Sequence, residues 1–436
     1  MSRRRQRWSG EDTAQPPSRL SRRLGTFDAV VIGLGSMIGA GVFAAIGPAA
    51  AAAGGGLLIG LALAAGVAYC NATSSAQLAA RYPASGGTYV YGRERLGHLW
   101  GFLAGWGFVI GKTASCAVMA LTFGSYAATD LARPLAIGAV VTLTAVNLLG
   151  VQKTAWLTRA IVAVVMGTLA TAVTAALTAD PTTANIGPVT DGGFSGILQA
   201  AALLFFAFAG YARIATLGEE VRDPAHTIPR AIPLALGITL VVYATVALTA
   251  LLAVGPDTLA SAAAPLTAVA EAGSLPTAMR VVRIGAVVAS LGVLLSLLVG
   301  VSRTTFAMAG ERDLPHWLDA VHPTRRVPHR AELAVAGAVI AVVLVANVRG
   351  AIGFSSFAVL FYYGVANASA FTLTAEERRW PRALPVLGLI GCIALGISLP
   401  LASIIGGTAL LTTGAIVWLT RHRRTPTATT GPSDQH

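Results

Sequence analysis

Gly35-Ser36-Met37-Ile38-Gly39-Ala40-Gly41-Val42-Phe43 is a run rich in small residues near the middle of the first long apolar segment, at about 26 to 47. A hydrocarbon core of about 30 Å takes roughly 20 apolar residues as a helix, so this run falls at membrane depth. Breaking a helix there frees backbone NH and carbonyl groups. Such groups are tolerated in a bilayer only where protein or a water-filled cavity satisfies them. A matching interruption, Phe205-Phe206-Ala207-Phe208-Ala209-Gly210-Tyr211, lies within the sixth apolar segment. Half-helix N-termini offer NH groups and a positive dipole end to a carboxylate, and half-helix C-termini offer carbonyls to an ammonium group, so the pair suits a zwitterion. The alternative is that these glycines only let helices pack closely.

Working outward, apolar runs bounded by charge, Pro or Gly number twelve, at about 26 to 47, 55 to 79, 99 to 127, 134 to 150, 157 to 179, 195 to 217, 230 to 254, 281 to 307, 331 to 348, 351 to 373, 384 to 399 and 402 to 420. The last two are separated only by Ser398 to Ser403, and residues 384 to 420 are too long for one span, so they are read as a hairpin. The interruptions open two successive sets of five spans, the pattern of an inverted repeat with discontinuous helices at its interface. The expected organisation is a basic, disordered N-terminus (1–25), a first repeat (26–179), a second repeat (195–373), two further helices (384–420) and a tail (421–436). The first run follows a basic leader, but it is too long for a signal peptide and is followed by many further spans, so it is read as retained.

Composition agrees with this class. The chain has 436 residues, of which 55% are hydrophobic and 11% charged, whereas a soluble domain carries about 25% charged residues. The net charge of +12 does not point to nucleic acid, because the cations sit between apolar stretches without stacking aromatics. With the N-terminus inside, cytoplasmic stretches hold Arg3, Arg4, Arg5, Arg7, Arg81, Arg93, Arg95, Arg325, Arg326, Arg330, Arg378, Arg379, Arg382 and many others, while the outer side holds Arg133, Arg280, Arg283 and Arg349. That asymmetry is the positive-inside pattern, which places both termini in the cytoplasm of a multi-pass protein of the cell membrane, in contact with lipid headgroups. Cys70, Cys116 and Cys392 lie in apolar runs with no pairing pattern, and the histidines fall in loops, tails or segment ends. No metal, no cofactor and no enzyme activity are expected, since no HExxH, GxSxG or P-loop occurs.

Four motifs carry a specific resemblance: GSMIGAGVF from Gly35, YPASGGTYVYGRERLG from Tyr82, FFAFAGY with GEEVRDPAHTIPRAI from Phe205 to Ile232, and SRTTFAMAGERDLPHWLDAVHP from Ser302. Their order and spread over residues 27 to 420 resemble the amino acid/polyamine/organocation permease superfamily. The resemblance implies an all-α fold of twelve transmembrane helices with a leucine-transporter-like 5+5 inverted repeat plus two C-terminal helices. It also implies secondary active transport of an amino acid by alternating access. Its binding site would comprise Met37, Ile38, Gly39, Ala40 and Gly41 with Phe206, Ala209, Gly210 and Tyr211. The substrate carboxylate would meet the NH groups of Ala40 and Gly41, and its amine the carbonyls of Met37 and Ala209. Phe206 would stack over the substrate and Tyr211 would add a polar group, although plain packing explains either ring as well. Several relatives have Ser at the position of Ala40; losing that hydroxyl leaves backbone recognition intact.

Coupling departs from the family pattern. Proton-coupled members often carry a Lys in the fifth span, where this chain has an apolar residue near Val165. Lys112 near the middle of span 3 and Arg213 in the inner half of span 6 are intramembrane charges, which are costly enough to read as functional. A desolvated Lys can lose its proton near neutral pH and an Arg cannot, so Lys112 is the candidate coupling group. The alternatives are a snorkelling or permanently paired Lys. Arg213 is expected at a gate with Glu219 or Glu220. Ser290 and Ser296 offer a possible sodium site, against the commoner role of hydroxyls bonded to their own helix. A co-transported proton is preferred to sodium. Two intramembrane cations without an intramembrane carboxylate favour a neutral or acidic amino acid over a polyamine or other organic amine. A non-transporting amino acid sensor of the same fold is the competing reading.

Overall fold

The structure, a computed structural model, describes residues 24–39, 41–82, 86–150, 155–215 and 220–422. Ala40 and Glu219 lie outside the described residues. Among the described residues the chain is helical without strands; Leu24 and Val221 form one isolated parallel bridge. Among these residues nine stretches are long and apolar enough to cross a membrane; one of them, Gly41–Arg81, passes through a 3₁₀ turn at Gly54–Gly56.

In chain order the helices are α1 (Thr26–Met37), α2 (Gly41–Ala53), α3 (Leu57–Arg81), α4 (Thr88–Arg95), α5 (His98–Ala127), α6 (Ala132–Leu148), α7 (Ala155–Leu177) and α8 (Gly193–Phe208). They continue with α9 (Ala212–Ala215), α10 (Pro224–Ser261), α11 (Pro265–Ala272), α12 (Ala278–Gly310), α13 (His329–Val345), α14 (Val348–Phe371), α15 (Ala383–Ile397) and α16 (Leu401–His422). Every apolar run expected from the sequence contains a helix. Those at α1, α13 and α15 are 12, 17 and 15 residues long, short of a full span by themselves.

Both glycine-rich runs interrupt their helices. After α1, Ile38 N still reaches Leu34 O at 2.7 Å, and helix resumes only at Gly41. After α8 the chain tightens into a 3₁₀ turn over Ala209–Tyr211 before the short α9. The sequence foresaw a broken sixth span; the form of the break is an overwound turn, which shifts the backbone bonding pattern without fully unwinding it.

The bundle is organised around α5 and α14. Of their most apolar windows 72% and 78% is buried, against 22% for α16 at the periphery. Small residues let the two approach, with Gly111 against Ala358, as expected where lipid cannot drive helices together and close van der Waals packing must. Helix α10 bends at Gly255 and Pro256, and Asn185 Nδ2 donates to the freed carbonyls of Leu252 (2.8 Å) and Ala253 (3.3 Å).

Candidate functional site

The two interruptions meet. A Cβ on Gly210 would lie 2.3 Å from Ser36 O, and one on Gly41 would lie 2.7 Å from Ala207 Cα. Each clash is with backbone, or with a methyl fixed to it, so the α1 break and the α8 break seat together only because these positions lack side chains. Gly41, expected from the sequence as a site residue, is thereby a packing residue.

The carbonyls freed by the breaks have partners on neighbouring helices. Tyr243 of α10 donates its hydroxyl to Met37 O and lies 3.2 Å from Ala207 O. Tyr363 of α14 donates to Ala209 O at 3.1 Å. A carbonyl oxygen has two lone pairs, so Met37 O and Ala209 O each keep acceptor capacity. Neither tyrosine was singled out in the sequence. A signal was present, because a tyrosine deep in an apolar span must find a hydrogen-bond partner, and unwound backbone supplies one.

A cavity of about 810 Å³ begins at these breaks, lined there by Gly35, Ser36, Met37, Gly41, Phe206, Ala207, Ala209 and Gly210. It runs to the end of the bundle that holds Arg93, Glu94, Arg303 and Glu311. Helix α5 contributes Gly105, Phe108, Lys112, Ser115 and Met119, whose spacing marks one helical face. Lys112 is buried, and its side chain has no hydrogen-bond or ion-pair partner among the described residues. At the mouth, Arg213 lies 3.8 Å from Glu220, and Arg93 lies 2.9 Å from Glu311.

Not every expected residue reaches the cavity. Ile38 is buried in the core; the position of a Cβ on Gly39 faces Val293 of α12; and Tyr211 is fully buried behind the wall, stacked on Tyr363 with ring centroids 5.0 Å apart. Ser296 is on the wall while Ser290 is buried outside it, with no hydrogen-bond partner for its hydroxyl among the described residues. Val165, at the place of the usual lysine, is buried apolar core.

The other end of the bundle is closed. Tyr126 of α5 donates its hydroxyl to Phe43 O (3.3 Å) and accepts from Leu266 N (3.2 Å), and its ring meets Phe43 edge-on at 5.7 Å. Arg283 of α12 donates to Tyr126 O (3.1 Å) and Ala127 O (2.9 Å). At the open end, α4 forms part of the wall and is tied to the segment after α12: Tyr89 donates to Asp313 at 2.6 Å. Burial, and then that carboxylate, push the Tyr89 phenol above its ordinary range.

Residues 24–420 match the family described as Amino acid permease. The chain belongs to this family. It is 62% identical over 410 residues to an uncharacterized transporter of Mycobacterium tuberculosis, covering 93% of both chains. It is 26% identical to the branched-chain amino acid permease of Bacillus subtilis, covering 93% of this chain and 94% of that one. A methylthioribose transporter of Bacillus subtilis is 29% identical over 73% of this chain and 74% of its own. This permease is therefore a multi-pass membrane transporter of the amino acid/polyamine/organocation superfamily, as the four motifs implied. The names of its relatives span chemically different cargoes, so cargo has to be argued from the cavity.

Proposed function

We propose that the protein is a twelve-span permease that moves an amino acid across the cytoplasmic membrane by alternating access, as proton-coupled symport or as exchange. The observation that carries this reading is the meeting of two interrupted helices on the wall of a cavity that is open at one end and closed at the other. In this reading α1 to α7 and α8 to α14 form the 5+5 inverted repeat (26–179 and 195–373), α15 and α16 (384–420) are appended, and both termini are cytoplasmic. The cavity then faces inward, since its mouth carries Arg93, Arg303 and Glu311, on the side rich in Arg.

The substrate α-carboxylate meets the NH groups at the start of α2, at Gly41 and the preceding Ala40, and the amine meets the spare lone pairs of Met37 O and Ala209 O. Phe206, partly exposed on the wall, covers the bound molecule. Arg213 and Glu220 form an ion pair at the mouth that separates or re-forms as the inner side opens and closes. Lys112 is the coupling candidate, because it is the charged side chain that α5 places on the wall at mid-span. A polyamine suits the cavity poorly: among the described residues its wall carboxylates are Glu94, Glu220 and Glu311, all at the mouth.

The test is uptake by purified protein in liposomes, with a panel of labelled amino acids and imposed proton or sodium gradients. Accumulation driven by a proton gradient, or counterflow against preloaded amino acid, is expected. Ligand binding without either kind of flux would replace transport by sensing, and accumulation driven only by sodium would replace the proton as coupling ion.

A further inference from the structure

Lys112 occupies an unusual position for a charge. Fourteen residues into α5, it lies on the cavity-lining face with Phe108 one turn before it and Ser115 and Met119 beyond. It is 8% exposed, and no described carboxylate pairs with it. The two ion pairs on the wall, Arg213 with Glu220 and Arg93 with Glu311, are both at the mouth and engage two of the three wall carboxylates. The third, Glu94, is exposed there. Toward the breaks the wall is apolar or backbone, apart from Lys112 and hydroxyl groups. A buried charge is stable only when it is paired or hydrogen-bonded, so an ammonium held here calls for an anion from the cavity's occupant. Beside Phe108 stands Tyr362, at a ring distance of 5.2 Å. Its oxygen accepts from Thr88 N at 2.9 Å, and its side chain forms part of the cavity wall.

We infer that the cavity takes an amino acid with an anionic side chain, whose second carboxylate pairs with Lys112. This rests on the reading that the α-amino and α-carboxyl groups sit at the breaks; Lys112 then distinguishes acidic substrates from neutral and basic ones. A cationic side chain brought to the same place would meet an uncompensated like charge, so lysine and arginine are excluded by repulsion as well as by lack of a partner.

Proteoliposomes loaded with glutamate and assayed with labelled glutamate, aspartate, leucine and arginine test this. Wild-type protein is expected to take up glutamate or aspartate, with leucine and arginine poor competitors. Lys112→Met is expected to lose acidic uptake by roughly thirtyfold or more, the loss usual when one member of a buried hydrogen-bonded charge pair is removed. Lys112→Arg, which keeps the charge, retains acidic preference and serves if the Met variant does not fold. Uptake of leucine that excess glutamate does not inhibit would overturn the inference while leaving amino acid transport standing. Acidic preference unchanged in Lys112→Met would overturn it too. Failure to bind or move any amino acid would take down the underlying reading together with the inference.

Discussion

Tyr243 shows how a single hydroxyl holds the site. It is 2% exposed and reaches both Met37 O, left by the α1 break, and Ala207 O on α8. Removing the hydroxyl leaves a buried carbonyl without its donor, which costs about 1–3 kcal/mol. Tyr243→Phe should therefore lower the melting temperature in detergent and impair uptake, whereas Tyr69→Phe, on an exposed side chain, should do neither; equal stability of the two variants would remove Tyr243 from this role. Glu377 offers a second test outside the membrane. It accepts from Arg95 at 2.7 Å and Thr374 N at 3.1 Å, and these bonds, Arg95 first, hold its carboxyl down to about 2. The unfolded value is about 4.3, so its contribution is fully present above that pH and is lost as pH falls toward 2. Glu377→Gln should be less stable than wild type at pH 7 by roughly 0.5–1 kcal/mol, with the gap closing below about pH 4.3. A gap that stays constant with pH would mean that packing, not the charge, is at stake.

At the scale of elements, the two broken spans are tied together at one end and sealed at the other. Leu24 N donates to Glu220 O at 3.1 Å and Arg222 N donates to Leu24 O at 2.9 Å, which joins the start of α1 to the segment after α9. Any movement of α1 at that end therefore carries the segment following α9 with it. At the opposite end α2, α5, α11 and α12 converge on Tyr126 and Arg283. Arg283→Gln keeps less of the bidentate grip on the end of α5 and should loosen this seal. In a Met119→Cys background, whose new thiol faces the cavity, a membrane-impermeant maleimide added from the sealed side should react faster once Arg283 is replaced. Identical labelling rates would show that the seal lies elsewhere. Gly210→Ala belongs to this scale as well. Its methyl group has to displace Ser36 backbone by more than a side-chain adjustment allows, so loss of binding is expected with the protein still inserted in the membrane.

For the molecule as a whole, the open prediction is its orientation. Thr304 lines the cavity mouth and is partly exposed, and in the proposed topology, drawn from the Arg asymmetry, that mouth faces the cytoplasm. Thr304→Cys should be labelled by an impermeant maleimide in inside-out vesicles and protected in right-side-out ones; the reverse pattern would invert the topology.

The helical segments and the places where two of them break were legible in the residues because hydropathy and small-residue content act locally: a bilayer demands about 20 apolar residues whatever lies next to them, and Gly-rich runs weaken a helix where they stand. Four things were not legible. The 3₁₀ form of the second break, the placing of Tyr211 behind the wall and of Ser290 outside it, and the recruitment of Tyr243 and Tyr363 to freed carbonyls all depend on which helix faces come together. Lys112 is the sharpest case. Its residue type and depth could be read from the chain, but its lack of a partner among the described residues is a property of every helix around it, since only their packing fixes where the carboxylates of α4 and of the segments after α9 and α12 lie.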